Sequence, residues 1–217
     1  MSSLKLKHSG GNSVSLNPPT SAPTSSEVAF KLPTADGSAG QVLQTDGSGN
    51  LSWVTPGLTH ARAYRVPSNF TLSSSEMTVT DWEYADTNSS GIIGSGWSLP
   101  SSGVFTFPAT GVYLVKANAM IKCASGVNQP YMGLSLPGTI NNSSYVTLAQ
   151  AWSSQSDDLS ADRYHNIHCA AYIDCTDTSN VKFKVNVHRD NNYGNIIFVG
   201  DSSLNTTWLE ITRLGNT

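Results

Sequence analysis

Residues 181–188 read Val-Lys-Phe-Lys-Val-Asn-Val-His, with an apolar side chain at every odd position and a polar or charged one at every even position. A period of two fits an extended strand with one face buried and the other in water. The same period puts Ile167, Cys169, Ala171 and Ile173 on one face of residues 167–173. Residues 111–121, Gly-Val-Tyr-Leu-Val-Lys-Ala-Asn-Ala-Met-Ile, are apolar on most of both faces near their start, the mark of a central strand covered on each side. Further strands are expected at 105–107, 131–136, 145–148, 196–199 and 207–214; with two or three weaker ones before Gly103 the total is about ten. The chain is expected to be all-β, and about ten strands fit a two-sheet jelly roll over residues 58–217.

Composition supports this reading. Ser (32), Thr (20), Asn (17) and Gly (18) make up two fifths of the 217 residues, and good helix formers are sparse. Only 12% of residues are charged, against roughly 25% in an ordinary soluble domain. With a net charge of -3 and Lys and Arg scattered without a run, there is no basic surface for a phosphate backbone, so nucleic acid is not an expected partner. No stretch approaches the roughly 18 apolar residues of a spanning helix, and the opening residues lack the apolar core of a secretory signal. Cys123, Cys169 and Cys175 are odd in number and form no CxxC pair, so three reduced and mostly buried thiols are expected; a pairing of Cys169 with Cys175 across a bend stays open.

Residues 1–57 differ from the rest. They hold five of the ten prolines but only two aromatics, Phe30 and Trp53, too little apolar matter for a core of their own. Strand-like pieces are nevertheless expected at 4–7, 14–16, 28–32, 41–43 and 51–54, with Asp36-Gly37 and Asp46-Gly47 as hairpin signals. Strands without a core need a partner, and copies of the same chain would supply one.

Residues suited to chemistry are few. The loop around Asp190, Asn191, Asn192 and Tyr193 could hydrogen-bond a sugar or offer oxygens to Ca²⁺, although Asp, Asn and Gly also suit a plain β-turn. Asp157 and Asp158, near Asp162, are a similar case. His165 and His168 point to opposite faces of a strand and form no local chelate. Neither a GxSxG elbow nor a suggestive pair of acids is present, so no catalytic residue, cofactor or metal is expected. Sequons at Asn69, Asn88, Asn141, Asn142 and Asn205 are what a Ser/Thr/Asn-rich chain produces by chance. Of Trp82, Trp97, Trp152 and Trp208, the last is expected in the core or in an oligomer interior, and Trp97, in a Gly-Ser-Gly-Trp-Ser turn, on the surface.

Residues 103–115, Gly-Val-Phe-Thr-Phe-Pro-Ala-Thr-Gly-Val-Tyr-Leu-Val, are similar to the central signature of the jelly-roll heads of the complement q-subunit and tumour necrosis factor superfamily. Residues 208–215, Trp-Leu-Glu-Ile-Thr-Arg-Leu-Gly, look like the last strand of its microbial and phage versions. The resemblance implies a trimeric head with one sheet face toward a three-fold axis. Residues 4–23 and 32–54 resemble formulaic segments of tail-fibre and other virion proteins of tailed phages. That resemblance implies a virion component assembled in the host cytoplasm and released by lysis.

The combined expectation is a homotrimeric bacteriophage fibre or spike. Residues 1–57 would form an interchain β stalk or anchor bound to other virion proteins. Residues 58–217 would form the head that adheres to a host-surface glycan or protein, gaining avidity from three sites on one axis. Expected receptor contacts are Asp190, Asn191, Asn192, Tyr193 and Trp97. A capsid-decorating or cementing protein or head fibre is the second reading, and a polysaccharide-degrading spike, which would need paired acids in a groove, the third.

Overall fold

In the computed structural model, which describes residues 4–17, 19–24, 27–86, 92–155 and 160–217, the period of two becomes sixteen β-strands, with no helix among the described residues. Contacts divide the chain into two compact units, Met1–Gly57 and Leu58–Thr217.

The second unit is built around β9 (Gly111–Cys123), paired along one edge with β12 (Arg163–Cys175) over its whole length. Its other edge is shared by β16 (Trp208–Gly215) and β15 (Ile196–Phe198). β5 (Ala61–Arg65) and β8 (Glu83–Tyr84) extend the sheet beyond β16, and β6 (Phe70–Leu72) extends it beyond β15, giving seven strands. The opposing sheet has five strands. β11 (Val146–Gln155), β10 (Gln129–Thr139), β14 (Asn186–Arg189) and β7 (Glu76–Thr78) follow in that order, and β13 (Lys182–Phe183) also pairs with β10. The long strands cross from sheet to sheet along the chain, as in a jelly roll.

Between the sheets lies a core set by alternation. Tyr113, Val115, Ala117, Ala119, Ile121 and Cys123 point inward from β9, and Met132, Leu134 and Leu136 from β10; all are buried. Rings fill one end: Phe105 stacks on Phe183 at 4.9 Å and meets Tyr64 and Trp82 edge-on at 5.2 and 5.5 Å, while Phe107 lies 4.5 Å from Tyr113. Phe70 stacks on Phe198 at 5.0 Å elsewhere in the core. The two motif glycines have steric reasons. Gly103 (φ 75°) and Gly111 (φ 146°) adopt conformations that L side chains avoid, and a Cβ would come within 2.6 Å of the Val79 carbonyl oxygen or 2.5 Å of that of Gly215.

Several expected elements differ in detail. The alternating run 181–188 is not one strand but β13 and β14. Opposite Lys184 on partner strand β10 stands Pro137, which has no backbone N–H to give the ladder; the register is the same on either side, and Lys184 still donates its own N–H to the Pro137 carbonyl at 2.8 Å. Residues 105–107 make only an isolated bridge, Phe105 to Phe183. Among the described residues, twelve strands rather than about ten lie between Leu58 and Thr217. Cys169 and Cys175 do not face each other across a bend. They lie six residues apart on one continuous strand, about 20 Å, and all three cysteines are free thiols.

In the first unit, β1 (Leu4–Lys7) pairs with β2 (Ser13–Leu16), and β3 (Val42–Thr45) with β4 (Leu51–Val54). The second hairpin turns through Asp46, whose carboxylate accepts the backbone N–H groups of Ser48 and Asn50. Residues 28–32 do not form a strand. Only Lys31 bridges, to Asn50, because Val28, Phe30 and Leu32 are 57–72% exposed and alternation without a buried face does not fix a strand. Asp36-Gly37 makes no hairpin; Gly37 lies beneath the ring of Trp53, whose indole N–H donates to the Ala35 carbonyl.

Phe183→Ala, which empties the centre of the ring cluster, is expected to lower the stability of the protein by about 3–5 kcal/mol in denaturant titrations.

Candidate functional site

The expected receptor loop is held from beneath by Arg189, only 4% exposed. Its guanidinium donates to the carbonyls of Asp190 (2.9 Å), Tyr193 (2.8 Å) and Ser73 (2.5 Å), while the Gln129 side-chain amide donates to the Gly194 carbonyl. Asp190 accepts the Asn192 backbone N–H at 2.9 Å, so its carboxylate is used in closing its own turn. Asn191, Asn192 and Tyr193 are exposed.

Trp97 is not brought to this loop. Gly194 abuts Val127, beyond the C-terminal end of β9, whereas Trp97 packs edge-on to Tyr113 near the other end. Ten residues of extended chain, about 33 Å, separate Tyr113 from Cys123. Nor is Trp97 the exposed tryptophan of this unit. It is half-buried against the core, and its indole N–H reaches the Ile93 carbonyl at 3.1 Å. Trp82 is buried, Trp208 is half-buried on the outer face of the β9 sheet, and Trp152 is 47% exposed. The signal for Trp152 lies in residues 148–152, Leu-Ala-Gln-Ala-Trp, where small alanines take the inward positions and the large side chains the outward ones.

Two outward surfaces stand out. On the β9 sheet, Tyr164 and Tyr172 of β12 are 55% and 71% exposed beside Leu114, Met120 and Trp208. The ion pairs described on this face, Lys116 with Glu210 at 3.8 Å, Lys122 with Asp162 at 2.6 Å and Arg65 with Glu83 at 2.6 Å, are each neutral as a unit. A cleft of about 440 Å³ adjoins it, lined by Ile140, Val146, Leu148 and Tyr172, between the edge strands β11 and β12. On the other sheet, Trp152 is flanked by Tyr131 (5.5 Å, edge-on) and His188 (5.2 Å), and His188 Nε2 lies 2.7 Å from Ser135 Oγ.

Groups suited to acid–base or metal chemistry are dispersed. Among the described residues, no three of His, Cys, Asp and Glu are grouped so as to hold a metal ion. Asp157 and Asp158 lie outside the described residues. Asp162 pairs with Lys122 at 2.6 Å and accepts the Ser125 backbone N–H. His165 faces inward to Gln155 and Ser153, while His168 faces outward. Burial holds the imidazoles of His165, His188 and His60 below the usual histidine range; Glu76 partly offsets this at His188, and Arg213 adds to it at His60. Burial raises all three thiols to about 11.

No protein-family model and no curated protein sequence matches the chain. Solved structures do. Eiger TNF from S. frugiperda superposes with a TM-score of 0.55 at 16% identity, over 74% of this chain and 96% of that one. Murine APRIL at pH 5.0 gives 0.49 at 16% identity, over 71% and 99%. The likeness to Eiger places the second unit among the tumour necrosis factor-like jelly rolls in fold.

Arg189→Met leaves three carbonyls without their cationic donor; it is expected to cost about 2 kcal/mol or more in urea unfolding and to speed amide exchange across residues 190–195. Stability is expected to form a plateau against pH. Below about 6.5, the ordinary histidine value, the unfolded chain takes up protons before the folded one, and above about 9 it loses thiol protons first. Thermal midpoints from pH 5 to 10.5 should therefore fall on both sides.

Proposed function

We propose that the protein is a homotrimeric virion fibre or spike of a tailed bacteriophage, with residues 58–217 forming an adhesive head and residues 1–57 anchoring it to other virion proteins. The observation that carries the trimer is the outward face of the β9 sheet. Tyr172, Leu114, Met120 and Trp208 present a broad apolar surface that one chain leaves in water, and monomeric proteins seldom do this without a partner. Its described ion pairs, Lys116–Glu210, Lys122–Asp162 and Arg65–Glu83, cancel charge locally, so copies of the same face can approach an axis with little like-charge repulsion. The adjoining cleft between β11 and β12 offers an apolar seat for a neighbour's side chains.

Adhesion and the virion setting rest on other support. Residues 4–23 and 32–54 resemble virion segments, and the exposed leucines of the β1–β2 hairpin, Leu4, Leu6 and Leu16 at 60–69%, suit burial against another protein. Isolated two-stranded hairpins are marginal in water, so such a segment gains most from a partner. Three heads on one axis engage a cell surface together, converting weak sites into tight attachment.

Native mass spectrometry of the full chain is expected to give three times 23.1 kDa; a stable monomer overturns the trimer. Tyr172→Glu, which places three carboxylates near the axis while leaving the inward face intact, is expected to yield folded monomers. Immunogold electron microscopy of virions is expected to label the tail, and label spread over the capsid would instead support the decorating protein.

A further inference from the structure

The outward face of the β11-β10-β14-β7 sheet differs from the face assigned to self-association. Strand register aligns two rows across it. One runs Trp152, Gly133, His188, Glu76; the next runs Gln150, Ser135, Asn186, Thr78.

The first row begins in a platform. Trp152 sits directly opposite Gly133, and a Cβ at Gly133 would lie 2.4 Å from the indole, so only glycine lets the ring lie over β10. Tyr131 abuts the indole edge-on and His188 flanks it, which fixes the ring while leaving it 47% exposed. A preset aromatic surface of this kind offers its π face to polarised C–H bonds at little entropic cost.

The remaining positions are planar or hydroxylic groups already ordered by one another. Ser135 Oγ and His188 Nε2 are 2.7 Å apart, Thr78 Oγ1 donates to Asn186 Oδ1 at 2.9 Å, and Asn186 Nδ2 donates to Glu76 Oε1. Gln150 is exposed beside them. The face thus combines an apolar plate with a strip of fixed donors and acceptors and one carboxylate. Three strand spacings separate Trp152 from Glu76, about 14 Å, a length that suits several linked rings better than one.

We propose that this face binds a neutral oligosaccharide, one pyranose stacking its C–H face on Trp152 and the next placing hydroxyls on Gln150, Asn186 and Thr78, while the buried Ser135 holds His188 from beneath. The stacked face of a pyranose is apolar and its rim is hydroxyl, the same division as the two rows. Glu76 accepts hydroxyl protons and disfavours acidic sugars. The proposal names the receptor class for the adhesive head and in that sense rests on that reading.

The test uses the full-length protein on immobilised neutral oligosaccharides of glucose, galactose, mannose and N-acetylglucosamine, with acidic oligosaccharides alongside. Retention on at least one neutral probe is expected, weakened tenfold or more by Trp152→Ala. Gly133→Ala keeps the indole but lifts it from the strand, so it should weaken retention as well. Both variants are checked for unchanged thermal unfolding. A variant that unfolds is replaced by Gln150→Ala, whose outward side chain is also expected to weaken binding. Absence of retention on every neutral probe, retention unaffected by these variants, or retention on acidic probes alone overturns the proposal. The outcome is separable from the virion reading: a capsid-located chain that still binds sugar through Trp152 removes the tail fibre and keeps this site.

Discussion

The fold depends on β9 having both edges paired and one face wholly buried. A strand hydrogen-bonded to β12 along one side and to β16 and β15 along the other has few free backbone groups, and its alternate side chains, from Tyr113 to Cys123, form the floor of the core. Cys123 meets Met132 of the opposite sheet at 3.8 Å, and the larger Tyr113 meets the ring cluster of Phe107 and Trp97. Large facing small is how two sheets about 10 Å apart fill the space between them. Because β9 takes the inner face of its sheet, the outer side chains of the same strands are freed for association.

The two outer faces are chemically different although neither is highly charged. One is aromatic and aliphatic with its described charges compensated in ion pairs; the other carries one tryptophan and an ordered strip of amides and hydroxyls. On the proposed reading, this separation would let one surface assemble copies while the other stays available to a ligand. The candidate loop at 190–195 belongs to neither. Its Asp190 and Tyr193 carbonyls and its Asp190 N–H serve Arg189 and Gln129 in closing the end of the sandwich, while the side chains of Asn191, Asn192 and Tyr193 stay exposed.

Much of the second unit is legible because its alternation is strict and its signature glycines are sterically required. β12 and β16 follow from periodicity alone, and residues 103–115 announced the fold. What escaped depended on partners distant in sequence. The break between β13 and β14 originates at Pro137 of β10, which has no N–H to donate, and nothing in residues 181–188 records it. Residues 28–32 alternate as a strand should but have no face to bury. Trp97 looked exposed among glycine and serine, yet its indole finds the Ile93 carbonyl four residues back. Trp152 becomes a platform only when the β10–β11 register sets it opposite Gly133.

Asp46, Asp177, Asp190 and Asp201 each turn their carboxylate back onto backbone N–H groups two or more residues ahead. Others are matched to Arg65, Lys122 or Lys116. A protein with only 27 charged residues and a net charge of -3 casts little field into solution. Its encounters are not steered over long distances, and they are correspondingly indifferent to ionic strength. Association then proceeds by contact alone and at much the same rate in dilute buffer as in concentrated salt.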